Sequence, residues 1–404
     1  MAVRGTPSWL GDQNAALALR LLLDDGPLSR NSIGERTGLS KPTAAQMVSR
    51  LEEKGLIEAV GEESAGRGPS AVVYGVRKDI AYGVAVNVDQ DGVRSAIVDP
   101  LGTRFPVAAR SAAEMRGKRG AAKDVANAVL RACESAQVEL AAVRQVCVGV
   151  PSSIDPRTDQ LSSVEALPGW SRTSIRQRLE EALGCEVQVD NDVNLAAVAE
   201  RETEAFAGNA TFALIWVGYG VGLAVDVAGT LLRGASGGAG EIGNLPVPHG
   251  VFAPGTEAGD LEELLGAGAL DRIGRETGWS ERAFEQALAG DALPTEVLTA
   301  FAPLLAQAVI PVLGVLDPEV VVLGGPVGLA GGAELARLTS AAIRDHTRWN
   351  PELMPSQTEG DAVLDGARIL GTRYLRSYLT ERAGSTESTQ DRSRIIAGNL
   401  RRMS

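Results

Sequence analysis

Between positions 41 and 54 the apolar residues Ala44, Met47, Val48 and Leu51 recur every three or four places, while Lys41, Thr43, Gln46 and Arg50 fall on the opposite side. This spacing predicts an amphipathic helix over Lys41 to Lys54 with one buried and one solvent-facing side. Ser40 is placed to cap it, Pro42 suits its first turn, and Gly55 stops it. Upstream, Ser29 predicts the cap of a shorter helix over Arg30 to Thr37, and Gly38 supplies the left-handed residue of the turn between the two. Downstream, Leu56 to Val60 forms a short apolar strand, the loop runs from Gly61 to Ser70, and Ala71 to Val76 returns as a second strand. Two helices across a glycine turn, then strand, loop and strand, make a winged helix-turn-helix. The second helix of such a unit enters the major groove, where Gln pairs with adenine and Arg or Lys with guanine. The candidate DNA contacts are therefore Ser29, Arg30, Ser40, Lys41, Pro42, Thr43, Gln46 and Arg50. The slim wing Gly66-Arg67-Gly68-Pro69 adds Arg67 against a phosphate or in a narrow minor groove.

From Ala81 the periodicity changes to alternating strands and helices. Tyr82 to Val88 reads as a strand, Asp91-Gly92 as a hairpin turn, and Val93 to Val98 as the return strand. A helix over Ala121 to Ala136 and an apolar strand over Gln145 to Val150, ended by Pro151, come next. A helix over Ser174 to Leu183 and a strand over Val187 to Val189 lead into Asp190-Asn191-Asp192-Val193-Asn194 at the mouth of another helix. A second hairpin then joins Phe212 to Val217 and Gly222 to Val227 through Gly218-Tyr219-Gly220-Val221. Pro318 to Leu323 is one more buried strand, ending in Gly324-Gly325. Two halves that each open with a hairpin and continue in β–α units predict an α/β body of two related lobes around a cleft. The expected organisation is a head over 1–78, a first lobe over 79–190, and a second over 191–382 whose last helix returns to the first. A polar tail over 383–404 ends frayed or as a short helix over Arg394 to Arg402.

Composition narrows the classes. With 404 residues and 44% hydrophobic content the chain can bury a sizeable core, which excludes a disordered protein. No apolar run is expected to approach the ~20 uncharged residues of a membrane span, and no secretory leader is visible, which points to the cytoplasm. Cys133, Cys147 and Cys185 lie far apart without a Cys-x-x-Cys pair, as buried free thiols and not as a disulfide frame or zinc cluster. The net charge is −12, and because the head is slightly basic the excess acid lies on the body. DNA contact should then be confined to the head and be sensitive to salt.

Four segments carry a family resemblance: Val148-Gly149-Val150-Pro151, Leu167-Pro168-Gly169-Trp170, Val189-Asp190-Asn191-Asp192, and LRGASGGAGEIG over Leu232 to Gly243. On these the chain resembles the ROK family of repressors and sugar kinases, which share an actin-like ATPase fold. The resemblance covers 13–76 as the winged head of the repressor branch and about 80–380 as the body. It implies that Asn191 and Asp192 bind a sugar, with Asp192 in the place of the catalytic base, and that Glu241 and Glu262 hold further hydroxyls, assisted by Asn244. Departures accompany it. The family's kinases carry an Asp-x-Gly-Gly-Thr-Lys type phosphate loop, where this chain has Asn87-Val88-Asp89-Gln90-Asp91-Gly92. Tyr219 fills a place usually held by a small residue. Asn244 replaces the usual zinc histidine, Val251 to Asp260 holds no cysteine, and His249 alone makes no metal site. Ser152 and Ala166 replace a usual Gly and Asn. The resemblance implies a transcriptional regulator, a repressor, that binds an inverted-repeat operator as a homodimer or homotetramer and responds to a sugar or sugar phosphate, with neither zinc nor ATP as cofactor and Asp192 a vestigial base. The alternatives are a ligand-independent or partner-controlled DNA binder and an ATP-dependent sugar kinase.

Overall fold

The computed structural model describes residues 7–63, 70–115, 119–206, 210–247 and 258–385. The head consists of α1 (Pro7–Asp25), β1 (Leu28–Ser29), α2 (Arg30–Thr37), α3 (Lys41–Glu53), β2 (Ile57–Glu63) and β3 (Ala71–Val76). The Ser29 hydroxyl accepts from the Ser32 N–H and that of Ser40 from the Thr43 N–H, each satisfying a donor that a helix start leaves unpaired. Gly38 has φ +70°, the left-handed value the turn requires. Ala44, Met47, Val48 and Leu51 are buried with Leu19, Leu22, Ile33 and Leu56. The first wing strand begins at Ile57 and runs to Glu63, beyond the expected Val60, because its pairing with β3 continues through a bulge near Val60. Leu56 instead fills the core.

The body has two five-stranded sheets. The first comprises β4 (Tyr82–Val88), β5 (Gly92–Val98), β6 (Ala108–Ser111), β7 (Val143–Val150) and β10 (Glu186–Asn191), with α4 (Ala121–Ala136) and α5 (Ile175–Leu183) on it and the small hairpin β8 (Ile154–Asp155) and β9 (Gln160–Leu161) beside it. Its order is β10-β7-β4-β5-β6. After α6 (Asp192–Arg201), the second sheet has the order β13-β12-β11-β14-β15. Its strands are β11 (Phe212–Val217), β12 (Val221–Val227), β13 (Thr230–Leu231), β14 (Val320–Gly324) and β15 (Leu353–Pro355). Each sheet is built on an antiparallel hairpin, β4–β5 or β11–β12, extended by a parallel strand. This is the repeated α/β grammar seen along the chain.

Helices α7 (Leu261–Leu265), α8 (Ala267–Glu276), α9 (Ala283–Leu288), α10 (Thr295–Leu316) and α11 (Gly325–His346) cover the second sheet, and α12 (Ala362–Gly384) closes the chain. Helix α10 corrects one expectation. It is long and apolar enough to cross a membrane by length and composition, with Glu296 the only charge in its 22 residues. Its apolarity has a core explanation: Val297, Phe301, Leu305, Val309 and Val312 are buried against α11, α7 and α8. The three cysteines are free, Cys133 and Cys147 buried and Cys185 half-buried. Helix α12 runs back over β4, β7 and β5 and packs lengthwise against α6. A β-carbon at Gly366 would overlap the Leu195 carbonyl oxygen, so the two backbones touch where only glycine fits. The tail from 386 onward, with its expected helix over Arg394 to Arg402, lies outside the described residues.

Candidate functional sites in the head and the cleft

On the head, Lys41, Pro42 and Gln46 are exposed along one side of α3, with Thr43 half-buried beside them. The Ser40 and Thr43 hydroxyls are bonded to each other at 2.9 Å. Among the described residues no ion pair engages Lys41, so its ammonium is available to a base edge or phosphate. Arg50 and Arg30 are placed differently. Arg50 is ion-paired to the buried carboxylate of Asp12 on α1, and Arg30 lies 5.0 Å over the Tyr74 ring and 3.4 Å from Glu52. Ser29 is buried in its cap. Arg67 lies outside the described residues.

The body cleft is assembled from element ends. Asn191 ends β10 and caps α6: its Oδ1 accepts from the N–H groups of Val193 and Asn194 at 2.9 and 3.2 Å. Its Nδ2 donates to Asp192 Oδ1 at 3.0 Å, which orients that carboxyl. Burial pushes the Asp192 carboxyl up to about 7, and the negative charges of Glu241 and Asp89 add to the effect against the Val193 N–H that it accepts. Glu241 precedes the short 3₁₀ turn Ile242–Asn244, which carries Asn244 on its last position. Glu262, in the first turn of α7, lies against two glycines: a β-carbon at Gly220 or Gly243 would stand 3.3 or 3.2 Å from its Oε2. Its carboxyl is raised by burial and by the charges of Asp260, Glu165 and Glu241. Asp192, Glu241 and Glu262 thus share one electrostatic neighbourhood. Glu165, one position before Ala166, joins them and was missed from sequence because no local pattern marks it. Ser152 turns its hydroxyl inward, accepting from the Ser163 N–H and bonding Ser162 Oγ, both at 3.1 Å.

The place of the phosphate loop is filled by the protein itself. Asp89 Oδ1 accepts the N–H groups of Asp91 and Gly92 at 2.9 and 3.0 Å, and its other oxygen pairs with Arg94. Arg94 also grips Asp361, the N-cap of α12, which accepts from Asn87 Nδ2 at 3.1 Å as well. The Tyr219 hydroxyl, from the hairpin of the second sheet, donates to Asp91 Oδ1 at 2.7 Å, and its ring sits against Phe284. A triphosphate does not fit these residues: the N–H groups of Asp89, Asp91 and Gly92 are taken, Arg94 is held between two carboxylates, and Asp91 holds Tyr219 of the second sheet. His249 and Val251 to Glu257 lie outside the described residues.

Residues 107–373 match the family described as the ROK family, and residues 17–58 match a winged helix-turn-helix DNA-binding family. Among curated proteins, the bifunctional enzyme NanE/NanK of Brucella suis is 30% identical over 205 residues, covering 49% of this chain and 37% of that protein. The xylose repressor of Bacillus subtilis is 24% identical over 240 residues, covering 58% of this chain and 60% of the repressor. The chain therefore spans less than two thirds of the length of these relatives. Among solved structures, a ROK family transcriptional regulator described as a homologue of the E. coli MLC protein superposes with a TM-score of 0.66 at 19% identity, covering 93% of this chain and 99% of the other.

Proposed function

The chain belongs to the ROK family and carries an N-terminal winged helix-turn-helix; from that premise we propose that it is a DNA-binding transcriptional regulator, a repressor, whose kinase-like body senses a sugar or sugar phosphate without transferring phosphate. One observation carries the proposal. Asn191 orients Asp192 at the start of α6, Asp192 and Glu262 both feel the charge of Glu241, and Asp89, Arg94 and Asp361 are bound to one another where ATP phosphates would be held; we take Asn191, Asp192, Glu241 and Glu262, with Asn244, as the groups that would bind sugar hydroxyls. The likeness to proteins named as a xylose repressor and a ROK family transcriptional regulator supports it. A sugar kinase with a DNA-binding head is the second reading, favoured by the retained Asp192 and the likeness to NanE/NanK.

In the proposed mechanism two heads of a dimer, or of a dimer of dimers, meet half-sites separated by whole helical turns, so their spacing sets operator affinity. Effector bound between the lobes changes their closure and with it that spacing. For coupling to exist the effector must bind one arrangement more tightly than the other. Lys41 and Gln46 read base edges, Ser40, Pro42 and Thr43 fix the helix against the backbone, and Arg67 reaches a phosphate. The test is operator affinity after selection from random DNA, with and without a panel of sugars and sugar phosphates. A shift that Asp192→Ala and Glu241→Ala abolish, with no ATP consumed in the presence of the panel, supports the regulator. ATP consumption would give the kinase reading, and tight DNA binding indifferent to every compound would leave the body a dimerisation scaffold.

A further inference from the structure

The recognition helix does not end in solvent. Its C-cap is Lys54, and the ammonium donates to three backbone carbonyls at the end of α12: Arg382 at 3.2 Å, Ala383 at 2.6 Å and Ser385 at 2.8 Å. The last carbonyls of a helix lack partners within it and form its negative end, and an ammonium has three N–H groups to give. Asp12 of α1, 3.9 Å away, adds an opposite charge. A lysine at the end of a recognition helix would otherwise be read as a phosphate contact; this one is three-quarters covered and turned toward the body.

The other end of α12 lies in the cleft. Its N-cap Asp361 is held by Arg94 and Asn87 of the degenerate phosphate loop. One turn in, Gly366 touches the backbone of α6 at Leu195, and α6 begins with Asp192. A helix of 23 residues is about 34 Å long, so α12 is a single rigid element reaching from the sugar-binding residues to the recognition helix. Arg376 fixes its middle, donating to the Leu23 and Pro100 carbonyls at 3.0 and 2.9 Å.

We propose that Lys54 is a positioning residue that locks the recognition helix onto the C-terminal end of α12, so that α12 transmits movement at the cleft directly to the DNA-reading surface. This deepens the regulator reading and rests on it for the effector response alone.

The full-length protein and its Lys54→Met variant, which keeps the chain length and loses the N–H donors, are compared in two measurements. In the first, operator affinity is read with and without a panel of pentoses, hexoses and hexose phosphates. The expected result is that Lys54→Met binds the operator within threefold of wild type but loses the shift that wild type shows, and that Lys54→Arg restores part of it. A shift retained in Lys54→Met, or a tenfold loss of operator affinity with the shift intact, overturns the proposal, since Lys54 would then act on nothing or on DNA. In the second, calorimetry follows unfolding without effector. Wild type should melt its head together with the body, because α1 shares a core with α12, and Lys54→Met should lower and broaden that transition. If wild type responds to no compound, the sensor reading fails by itself and calorimetry decides the link: a lowered, broadened transition supports it, and identical profiles overturn it.

Discussion

Asp192 shows how one side chain couples the cleft's chemistry to stability. Its folded value, about 7, lies above the ordinary carboxylate range, with burial as the largest cause. The ionised form is therefore disfavoured in the fold. Stability from this group is full below about pH 4 and is lost as pH rises through about 7. Asp89, Glu262 and Glu200 are shifted in the same direction, chiefly by burial, so they add to the loss. Asp192→Asn should leave thermal stability unchanged at pH 4 and raise it at pH 8 by about 1–3 kcal/mol, with a shallower decline between. Scanning calorimetry across that range checks it, and a steeper decline in the variant would contradict the assignment. Asp192 and Asn191 were legible because the motif places both at one strand-to-helix junction. Arg94 and Asp361 were not: 267 positions separate them, and neither has a local pattern that names its partner.

At the scale of elements, the caps decided what could be read. Ser29, Gly38 and Ser40 fixed the bounds of α2 and the start of α3 because each satisfies a backbone group at a helix end by a local bond or dihedral. Ser40→Ala should lower head stability by about 1 kcal/mol in urea unfolding. The helical period assigned Arg50 to the open side of α3, and it indeed lies away from the Leu51 stripe, but α1 comes down there and supplies Asp12. Arg50→Ala should accordingly cost stability, about 2 kcal/mol from leaving a buried carboxylate without its main partner, whereas Lys41→Ala should leave the melting temperature alone and relax operator preference at particular bases. Equal losses of stability in the two variants would reject this division. The expectation that no apolar run approaches a span's length failed at α10 for a related reason. A continuous apolar run is also what a helix covered on several sides requires, and only the packing partners separate the two cases.

Across the whole molecule, the division of charge was legible and the docking of head on body was not, since docking depends on how distant segments meet. Because the head is slightly basic, the body carries more than the whole net charge of −12, and DNA is repelled by such a surface, so the proposed binding must concentrate its favourable contacts on the small head. Each phosphate neutralised there releases counterions, and affinity falls with salt in proportion to the number of contacts. Arg67→Ala should therefore weaken binding evenly across operator sequences and reduce the slope of log affinity against log salt by about 1. Replacing exposed acids of the body, such as Glu281→Gln with Glu296→Gln, should raise affinity at low salt and lose that effect as screening shortens the reach of the body's field to about 8 Å at physiological ionic strength. Titrations of one selected operator at several salt concentrations test both, and a salt slope that follows the body's acids instead of Arg67 would show that the body itself lies against the DNA.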